Sequence, residues 1–228
     1  MHAKTFIHVW VVMAHLYAER MEVNMLIKAF ALGHVQTNCY IVTDENTLEC
    51  AVIDPGAEEN TIMRYLEENK LKCRYILLTH GHFDHTGAVE ELAKQTGAVV
   101  CMSHKDVRKN ITQMGFKFAP PKGTVYFNEG DMFTVASLVF EVIETPGHSE
   151  GSVTFRCGDA LFTGDTLFKD SCGRTDFPGC SGADMMKSLK RLYELTGDYE
   201  VYPGHMETTS LERERRSNYF MRQAAQEE

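Results

Sequence analysis

Short apolar stretches separated by turn residues recur along the chain from residue 25 onward. Some alternate apolar with polar positions and others run apolar without interruption, and both patterns are typical of β-strands with one or two buried faces. The pattern predicts strands over Met25–Ala31, Asn38–Thr43, Leu48–Ile53, Tyr75–Thr79, Ala98–Met102, Thr124–Phe127, Phe133–Val135, Leu138–Glu144, Ser152–Arg156, Ala160–Phe162 and Glu200–Tyr202.

Between several of these strands the apolar residues recur at helical spacing. This spacing predicts helices over Glu58–Asn69, Thr86–Thr96, Asp184–Leu195 and Thr209–Met221. Residues 103–106, Ser-His-Lys-Asp, match a capping box and predict one more helix that continues to about Met114. We expect the strands between residues 124 and 144 to belong to a second sheet, which gives two strand-rich halves with helices outside.

Residues 1–24 do not follow this pattern. Phe6–Ala14 is an apolar run interrupted by His8, and it is far too short to span a bilayer. A signal peptide is the alternative, but few positive charges precede the run and no A-x-A cleavage site follows it. We therefore predict an N-terminal extension over residues 1–24 and one domain over residues 25–228.

Composition narrows the function classes. The chain has 228 residues, 43% of them hydrophobic, which is enough for one domain with a sizeable core. Its formal net charge of −9 disfavours binding to nucleic acid. Seven cysteines without a C-x-x-C pair suit reduced thiols, so we expect a cytoplasmic protein. We also expect a small-molecule substrate and no membrane partner, and the oligomeric state stays open.

Potential metal ligands concentrate in residues 79–85, Thr-His-Gly-His-Phe-Asp-His. His80 and His82 are two positions apart, so extended backbone places them on one face. Asp84 and His85 are adjacent and need a turn to approach the same centre. Because such side chains are costly to bury without a partner, the motif predicts one ion on His80 and His82 and a second on Asp84 and His85.

Three later motifs follow predicted strands in the same manner. They are residues 145–149 (Thr-Pro-Gly-His-Ser), 162–166 (Phe-Thr-Gly-Asp-Thr) and 202–205 (Tyr-Pro-Gly-His). With the H-x-H-x-D-H motif of residues 80–85, the chain resembles the metallo-β-lactamase superfamily over roughly Leu26 to Phe220. The resemblance implies an α/β fold, a four-layer αββα sandwich with the metals at one edge between the sheets.

The resemblance also implies a ligand set. It assigns one ion to His80, His82 and His148, a second to Asp84, His85 and His205, and a bridging position to Asp165. Asp54, in the string Ile-Asp-Pro-Gly, is similar to the family aspartate that supports the metal loop without binding metal. We expect two divalent ions, with zinc preferred and iron or manganese also suited to these donors.

Paired ions can hold a bridging hydroxide as nucleophile and polarise a carbonyl oxygen. Asp84 is the expected catalytic residue, which orients the hydroxide or passes its proton to the leaving group. Residues 173–179 resemble the G-R-T-D segment of glyoxalase II-like hydrolases, which implies that Arg174 binds a substrate carboxylate. A structural pair between Arg174 and Asp176 is the alternative. The expected function is thioester hydrolysis of the hydroxyacylglutathione hydrolase type.

A second function remains open from the sequence. Persulfide dioxygenases share the scaffold and a closely similar G-R-T-D-F string, and that resemblance implies one iron on His80, His148 and Asp165. Flavodiiron electron transfer, a metal-bearing scaffold without turnover, lactamase activity and nuclease activity fit the ligand set or the length of the chain less well.

Overall fold

The computed structural model describes residues 24–108 and 118–227, which form two six-stranded sheets, a short hairpin and covering helices. The first sheet consists, in spatial order, of β1 (Met25–Leu32), β2 (Thr37–Asp44), β3 (Glu49–Ile53), β4 (Lys72–Leu77), β5 (Val99–Ser103) and β6 (Val125–Phe127). The second consists of β14 (Thr209–Ser210), β13 (Glu200–Pro203), β10 (Ala160–Gly164), β9 (Val153–Cys157), β8 (Leu138–Glu144) and β7 (Met132–Val135). The hairpin is formed by β11 (Leu167–Phe168) and β12 (Ser171–Cys172).

The helices of the described residues lie outside the sheets. They are α1 (Glu59–Glu68), α2 (Phe83–Thr86), α3 (Val89–Thr96), α4 (Lys105–Arg108), α5 (Gly182–Tyr193), α6 (Leu211–Ser217) and α7 (Tyr219–Ala224). α1 and α3 pack on the first sheet through residues such as Ile62 and Leu92. α5, α6 and α7 pack on the second sheet through residues such as Leu189 and Met221. None of the described helices is both long enough and apolar enough to cross a bilayer.

The core lies between the two sheets and continues beneath the helices. Successive residues of β3 point to opposite faces, so Ile53 packs between the sheets while Val52 packs towards the helices. Phe140 and Phe155 fill the space between the sheets from the opposite side. A central strand buried on both faces explains the nearly continuous apolar run of β3. The predicted four-layer αββα sandwich is confirmed.

One predicted strand belongs to the other sheet. The segment predicted over Thr124–Phe127 is strand β6, but β6 pairs in parallel with β5 at the edge of the first sheet, so its assignment to the second sheet was wrong. Three apolar residues carry no signal that distinguishes one sheet from another. The pairing depends on the path of the chain after β5.

The C-terminal prediction also needs correction. Thr209 and Ser210 form β14, which pairs with β13, so Glu200–Tyr202 is not the last strand and the predicted helix from Thr209 to Met221 was wrong as one element. Its helical part is interrupted at Asn218, whose side chain accepts hydrogen bonds from the backbone N–H groups of Phe220 and Met221 and caps α7. Asparagine favours such caps over helix interiors because its side chain competes for backbone hydrogen bonds.

The helix predicted over Thr86–Thr96 starts later than predicted, at Val89 as α3, because Thr86 is the last residue of α2 and residues 87–88 lie between the two helices. The backbone N–H of Ala88 donates to the carbonyl oxygen of Pro55 instead of continuing the helical pattern. The predicted N-terminal extension, apart from residue 24, lies outside the described residues, and so does the continuation towards Met114 of the helix predicted from residues 103–106. The boundary of the domain at residue 25 therefore stays a prediction.

Candidate metal centre

The candidate ligands lie at one edge of the sandwich, where parallel strands of both sheets end. β3 and β4 run parallel and are followed by Asp54 and by the loop that carries His80. β10 and β13 run parallel and are followed by Asp165 and His205. Because the carboxyl ends of parallel strands meet at the same edge, residues distant in sequence come together there. His148 joins them from the loop between β8 and β9.

His80, His82 and His148 form what we call the triple-histidine group. One ring nitrogen of each lies within 4.8 Å of the others, and all three side chains are buried. His82 Nδ1 and His148 Nε2 are 2.8 Å apart. The carbonyl oxygen of Arg174 lies 2.9 Å from His148 Nδ1, which orients the ring so that its Nε2 faces the group.

Asp84, His85 and His205 form the aspartate–histidine group, whose ligand atoms also lie within 4.8 Å of one another. The short helix α2 supplies the turn that the adjacent residues Asp84 and His85 require. Asp84 Oδ2 lies 3.2 Å from His205 Nε2 and accepts a hydrogen bond from Thr37 Oγ1 at 3.1 Å. His85 is fully buried, whereas the side chains of Asp84 and His205 are 12% and 22% exposed, so this group faces the open side of the centre.

Asp165 lies between the two groups. Its Oδ2 is 3.3 Å from His148 Nε2, and its Oδ1 is 3.4 Å from His85 Nε2. Gly204 makes this position possible, because a Cβ atom at residue 204 would lie 2.2 Å from Asp165 Oδ1. Asp165 therefore lies close to a histidine of each group, and its bridging role stays a prediction.

Asp54 supports the centre from behind. Its carboxylate accepts hydrogen bonds from the backbone N–H and the hydroxyl of Thr79, at 2.8 and 2.6 Å, and Asp54 Oδ2 lies 2.9 Å from His85 Nδ1. Asp54 is itself close enough to His80 and His85 to be counted as a candidate ligand. Since three donors already engage its oxygens, its geometry suits orientation of the His85 ring better than coordination.

Three buried polar atoms of the centre have no hydrogen-bond partner among the described residues, namely His80 Nε2, His85 Nε2 and Asp165 Oδ1. Each such atom costs about 1–3 kcal/mol when nothing compensates its lost hydration. His80 and His85 belong to the candidate ligand groups, and Asp165 Oδ1 lies 3.4 Å from His85 Nε2, so a bound cation could coordinate these atoms. The nitrogen and oxygen donors suit zinc, iron or manganese, so the residues fit the metals that the sequence predicts.

Two of the three imidazoles in the triple-histidine group, those of His80 and His82, are held in the neutral form. Burial lowers the pKa of His80 well below its usual value, and the neighbouring imidazoles lower it further. Burial and the proximity of His148 lower the pKa of His82 to about 3. Neutral imidazole is the form that binds metal, so these rings need not lose protons before they coordinate an ion.

The aspartate–histidine group behaves in the opposite way. Burial opposes protonation of His85, but the carboxylates of Asp165 and Asp54 outweigh it and raise its pKa well above the usual value. Burial likewise opposes protonation of His205, while its hydrogen bond to Asp84 and the charge of Asp165 raise its pKa. When no cation is bound, protonation of His85 and His205 therefore supplies the positive charge that balances the neighbouring carboxylates.

A cleft of about 510 Å³ opens over the centre. Apolar side chains line it around the candidate ligands, and they belong to Val35, Phe83, Phe168, Cys172, Phe177 and Met206. A second cavity, of about 580 Å³, shares Val35, Phe83 and Asp84 with the cleft and is also lined by His34.

Arg174 lies at the edge of the cleft. Its Nε and Nη2 donate to Asp176 Oδ1 and Oδ2 at 2.6 and 2.7 Å, and its guanidinium stacks 3.9 Å from the centre of the Phe177 ring. The structural pair with Asp176 is thus present in the structure. Contact between Arg174 and a substrate stays a prediction.

One residue near the centre, Asp106, was not predicted from the sequence to lie there. Asp106 was assigned to a capping box, but its carboxylate accepts hydrogen bonds from the backbone N–H groups of Gly81 and Gly151 and not from Ser103, so that assignment was wrong. Ser103 Oγ does accept a hydrogen bond from the backbone of Lys105. An acidic residue shortly after β5, which runs parallel to β4, could have indicated a place at the same edge as the metal motif.

Comparisons with known proteins agree with the fold and identify the family. The sequence model described as the metallo-β-lactamase superfamily matches residues 32–205. Hydroxyacylglutathione hydrolase GloC of Haemophilus influenzae is 32% identical over 209 residues, which cover 86% of this chain and 98% of that protein.

Solved structures resemble the fold closely. BLEG-1 B3 metallo-β-lactamase superposes with a TM-score of 0.79 at 31% identity and covers 86% of this chain and 99% of that one. TTHA1623 in a di-iron-bound form has a TM-score of 0.75 at 35% identity, with 85% and 99% covered. ETHE1 from Myxococcus xanthus has a TM-score of 0.75 at 29% identity, with 89% and 91% covered.

Proposed function

This chain belongs to the metallo-β-lactamase superfamily, and on that premise we propose that it is a binuclear metal-dependent hydrolase of thioesters. The observation that carries the proposal is the convergence of two ligand groups on Asp165, with three buried donor atoms left without protein partners. The similarity to hydroxyacylglutathione hydrolase GloC supports the thioester substrate.

The protein holds the reacting groups in a fixed arrangement. The triple-histidine group and the aspartate–histidine group would each hold one ion, and Asp165 would contact both. When bound, the ions would polarise the thioester carbonyl as Lewis acids and would lower the pKa of water towards about 7. Asp54 and the Arg174 carbonyl fix the rings of His85 and His148, so little reorganisation is needed during the reaction.

Asp84 would orient the attacking water. Burial opposes ionisation of Asp84, but its hydrogen bond with His205 lowers the pKa, so the carboxylate is charged at neutral pH. A charged carboxylate at the edge of the cleft can accept a hydrogen bond from the water and pass the water's proton on to the departing thiolate or to solvent. A departing thiolate needs little further protonation, because thiols ionise with a pKa of about 8.5.

Arg174 and the apolar rim of the cleft would bind the remainder of the substrate. The guanidinium can pair with a carboxylate of the thiol portion if it turns from Asp176. Val35 and Met206 are 52% and 58% exposed at the rim, where they can cover apolar parts of the substrate and keep bulk water away. All seven cysteines are free, which supports a reducing, cytoplasmic environment.

A mononuclear iron dioxygenase is the second candidate, and the similarity to ETHE1 favours it. His80 and His148 belong to one ligand group, and Asp165 Oδ2 lies 3.3 Å from His148 Nε2, so these three residues could hold a single iron. The aspartate–histidine group would then have no ion to bind. Metal stoichiometry therefore separates the two candidates.

The test combines metal analysis with two assays. Protein purified without added metal is measured for metal content by mass spectrometry and assayed with S-lactoylglutathione and with glutathione persulfide. We expect two ions per chain and thiol release from the thioester. One iron per chain with oxygen consumption on the persulfide would overturn the proposal in favour of the dioxygenase.

A further inference from the structure

Asp106 lies outside the ligand set, yet it contacts two loops that carry ligands. Its Oδ2 accepts hydrogen bonds from the backbone N–H of Gly81 at 2.8 Å and from Ser149 Oγ at 3.0 Å. Its Oδ1 accepts one from the backbone N–H of Gly151 at 2.7 Å. The side chain is only 7% exposed. One buried carboxylate thus joins the loop of residues 80–82 to the loop of residues 148–151.

The packing around Asp106 is as close as the hydrogen bonding. A Cβ atom at Gly151 would lie 2.5 Å from Asp106 Oδ1, and one at Gly81 would lie 3.0 Å from the Asp106 Cβ. Gly81 stands between His80 and His82, and Ser149 follows His148 directly. Movement of this carboxylate would therefore move all three residues of the triple-histidine group.

The aspartate–histidine group is held by different contacts. Asn38 Nδ2 donates to the carbonyl oxygens of Pro203 and Met206, and the backbone N–H of Asn38 donates to that of Gly204. These bonds fix the turn that carries His205. The two groups thus depend on separate side chains that come from different parts of the first-sheet half.

We propose that Asp106 is a positioning residue for the triple-histidine group, and that it sets the affinity of the ion held there without acting on the other ion. The inference depends on the two-ion part of the proposed function and not on the identity of the substrate. Residues that orient metal ligands from outside the coordination shell change metal affinity by about 10–100-fold.

Asp106→Asn tests this directly. The amide keeps the shape but presents an N–H₂ group to one of the backbone N–H donors. In titrations of Zn²⁺ into the chelator-treated full-length chain, we expect one of the two association constants to fall by about 10–100-fold. The other association constant should stay within twofold of its original value. Ser149→Ala removes one of the three donors and should give a smaller change of the same kind, which protects the test if Asp106→Asn does not fold.

Double variants identify the ion concerned. In a His205→Ala background, Asp106→Asn should still weaken the remaining ion, which lies in the triple-histidine group. In a His82→Ala background, Asp106→Asn should leave the affinity of the remaining ion unchanged. In that background Asn38→Ser should weaken the binding of the remaining ion. A general loosening of the fold would affect both backgrounds equally, and this result would overturn the inference.

Asp44→Asn is the matched control. Asp44 is also a buried carboxylate, 1% exposed, and accepts hydrogen bonds from the backbone and hydroxyl of Ser137 and from the backbone of Thr47, away from the centre. We expect it to lower the melting temperature and leave both Zn²⁺ constants unchanged. If Asp106→Asn behaves like this control, the inference is wrong while the proposed function stands. If the unaltered chain binds no ion, both are wrong.

Discussion

The two ligand groups differ in composition, exposure and charge, although they share Asp165. The triple-histidine group is buried, contains only imidazoles and has lowered pKa values at His80 and His82. The aspartate–histidine group faces the cleft, contains a carboxylate and has raised pKa values at its histidines. The difference indicates that the first group is ready to accept a cation, whereas the second must exchange protons for one.

The same difference assigns distinct tasks to the groups. A buried group would hold its ion away from competing water. A partly exposed group that includes Asp84 would place charge next to the position of the substrate. Four predictions test how far the two groups are independent.

The largest effect is expected from Asp165→Asn, because it alters the contact that both groups share. Loss of the carboxylate should reduce binding of both ions and lower kcat/KM for the thioester by about 10³-fold, since metal ions contribute several kcal/mol to transition-state stabilisation. Metal content and thiol release are the measurements. The control is Asp159→Asn, in the exposed turn between β9 and β10. If Asp165→Asn retained two ions and full turnover, the shared role of Asp165 would be excluded.

Asp54→Asn should separate the two groups. The amide cannot accept hydrogen bonds from Thr79 and His85 as the carboxylate does, so the His85 ring loses its orientation. We expect the ion of the aspartate–histidine group to bind about 10–100-fold more weakly, with a smaller change at the other ion. Stepwise Zn²⁺ dissociation constants measure this. Equal weakening of both ions would contradict the separation of the groups.

The pH dependence of metal binding should differ between the groups. The pKa values of His85 and His205 are raised, so their protons must leave when an ion binds, and affinity should increase with pH until the raised pKa values are passed. The expected slope is about tenfold per pH unit for each proton released. Because their lowered pKa values keep His80 and His82 neutral above pH 6.5, these two rings release no protons on binding, and the affinity of the other ion should rise less steeply with pH there. Titrations in buffers of different ionisation enthalpy count the protons.

The smallest effect is expected outside both groups, at Arg174. Arg174→Ala should raise KM for an anionic thioester about fivefold and leave kcat nearly unchanged, because an exposed charge pair contributes modestly to binding. Arg174→Lys should recover only part of the loss, since lysine lacks the planar bidentate geometry. Asp176→Asn distinguishes the structural pair: an unchanged KM in Arg174→Ala together with a lower melting temperature in both variants would assign Arg174 to the loop alone.

Local sequence patterns predicted much of this molecule, and the misses have a common cause. The strand β3 and the helix α1 were predicted because a continuous apolar run and a helical spacing of apolar residues both reflect burial. The strand β6 was assigned to the wrong sheet and the helix after Thr209 was drawn as one element, because strand partners and a cap such as Asn218 depend on distant parts of the chain. The same reason explains why Asp106 was assigned to a local capping box.

The sequence by itself determined the family, the four-layer architecture and the candidate donors, because each motif combines strong local constraints with unusual residue types. Only the tertiary structure decided that Asp165 faces both groups, that Asp106 joins the loops of Gly81 and Gly151, and that Arg174 pairs with Asp176. These contacts join residues from separate loops, apart from the Arg174 pair. Sequence spacing fixes which face of a strand a side chain occupies, whereas distances between loops depend on how the two sheets pack.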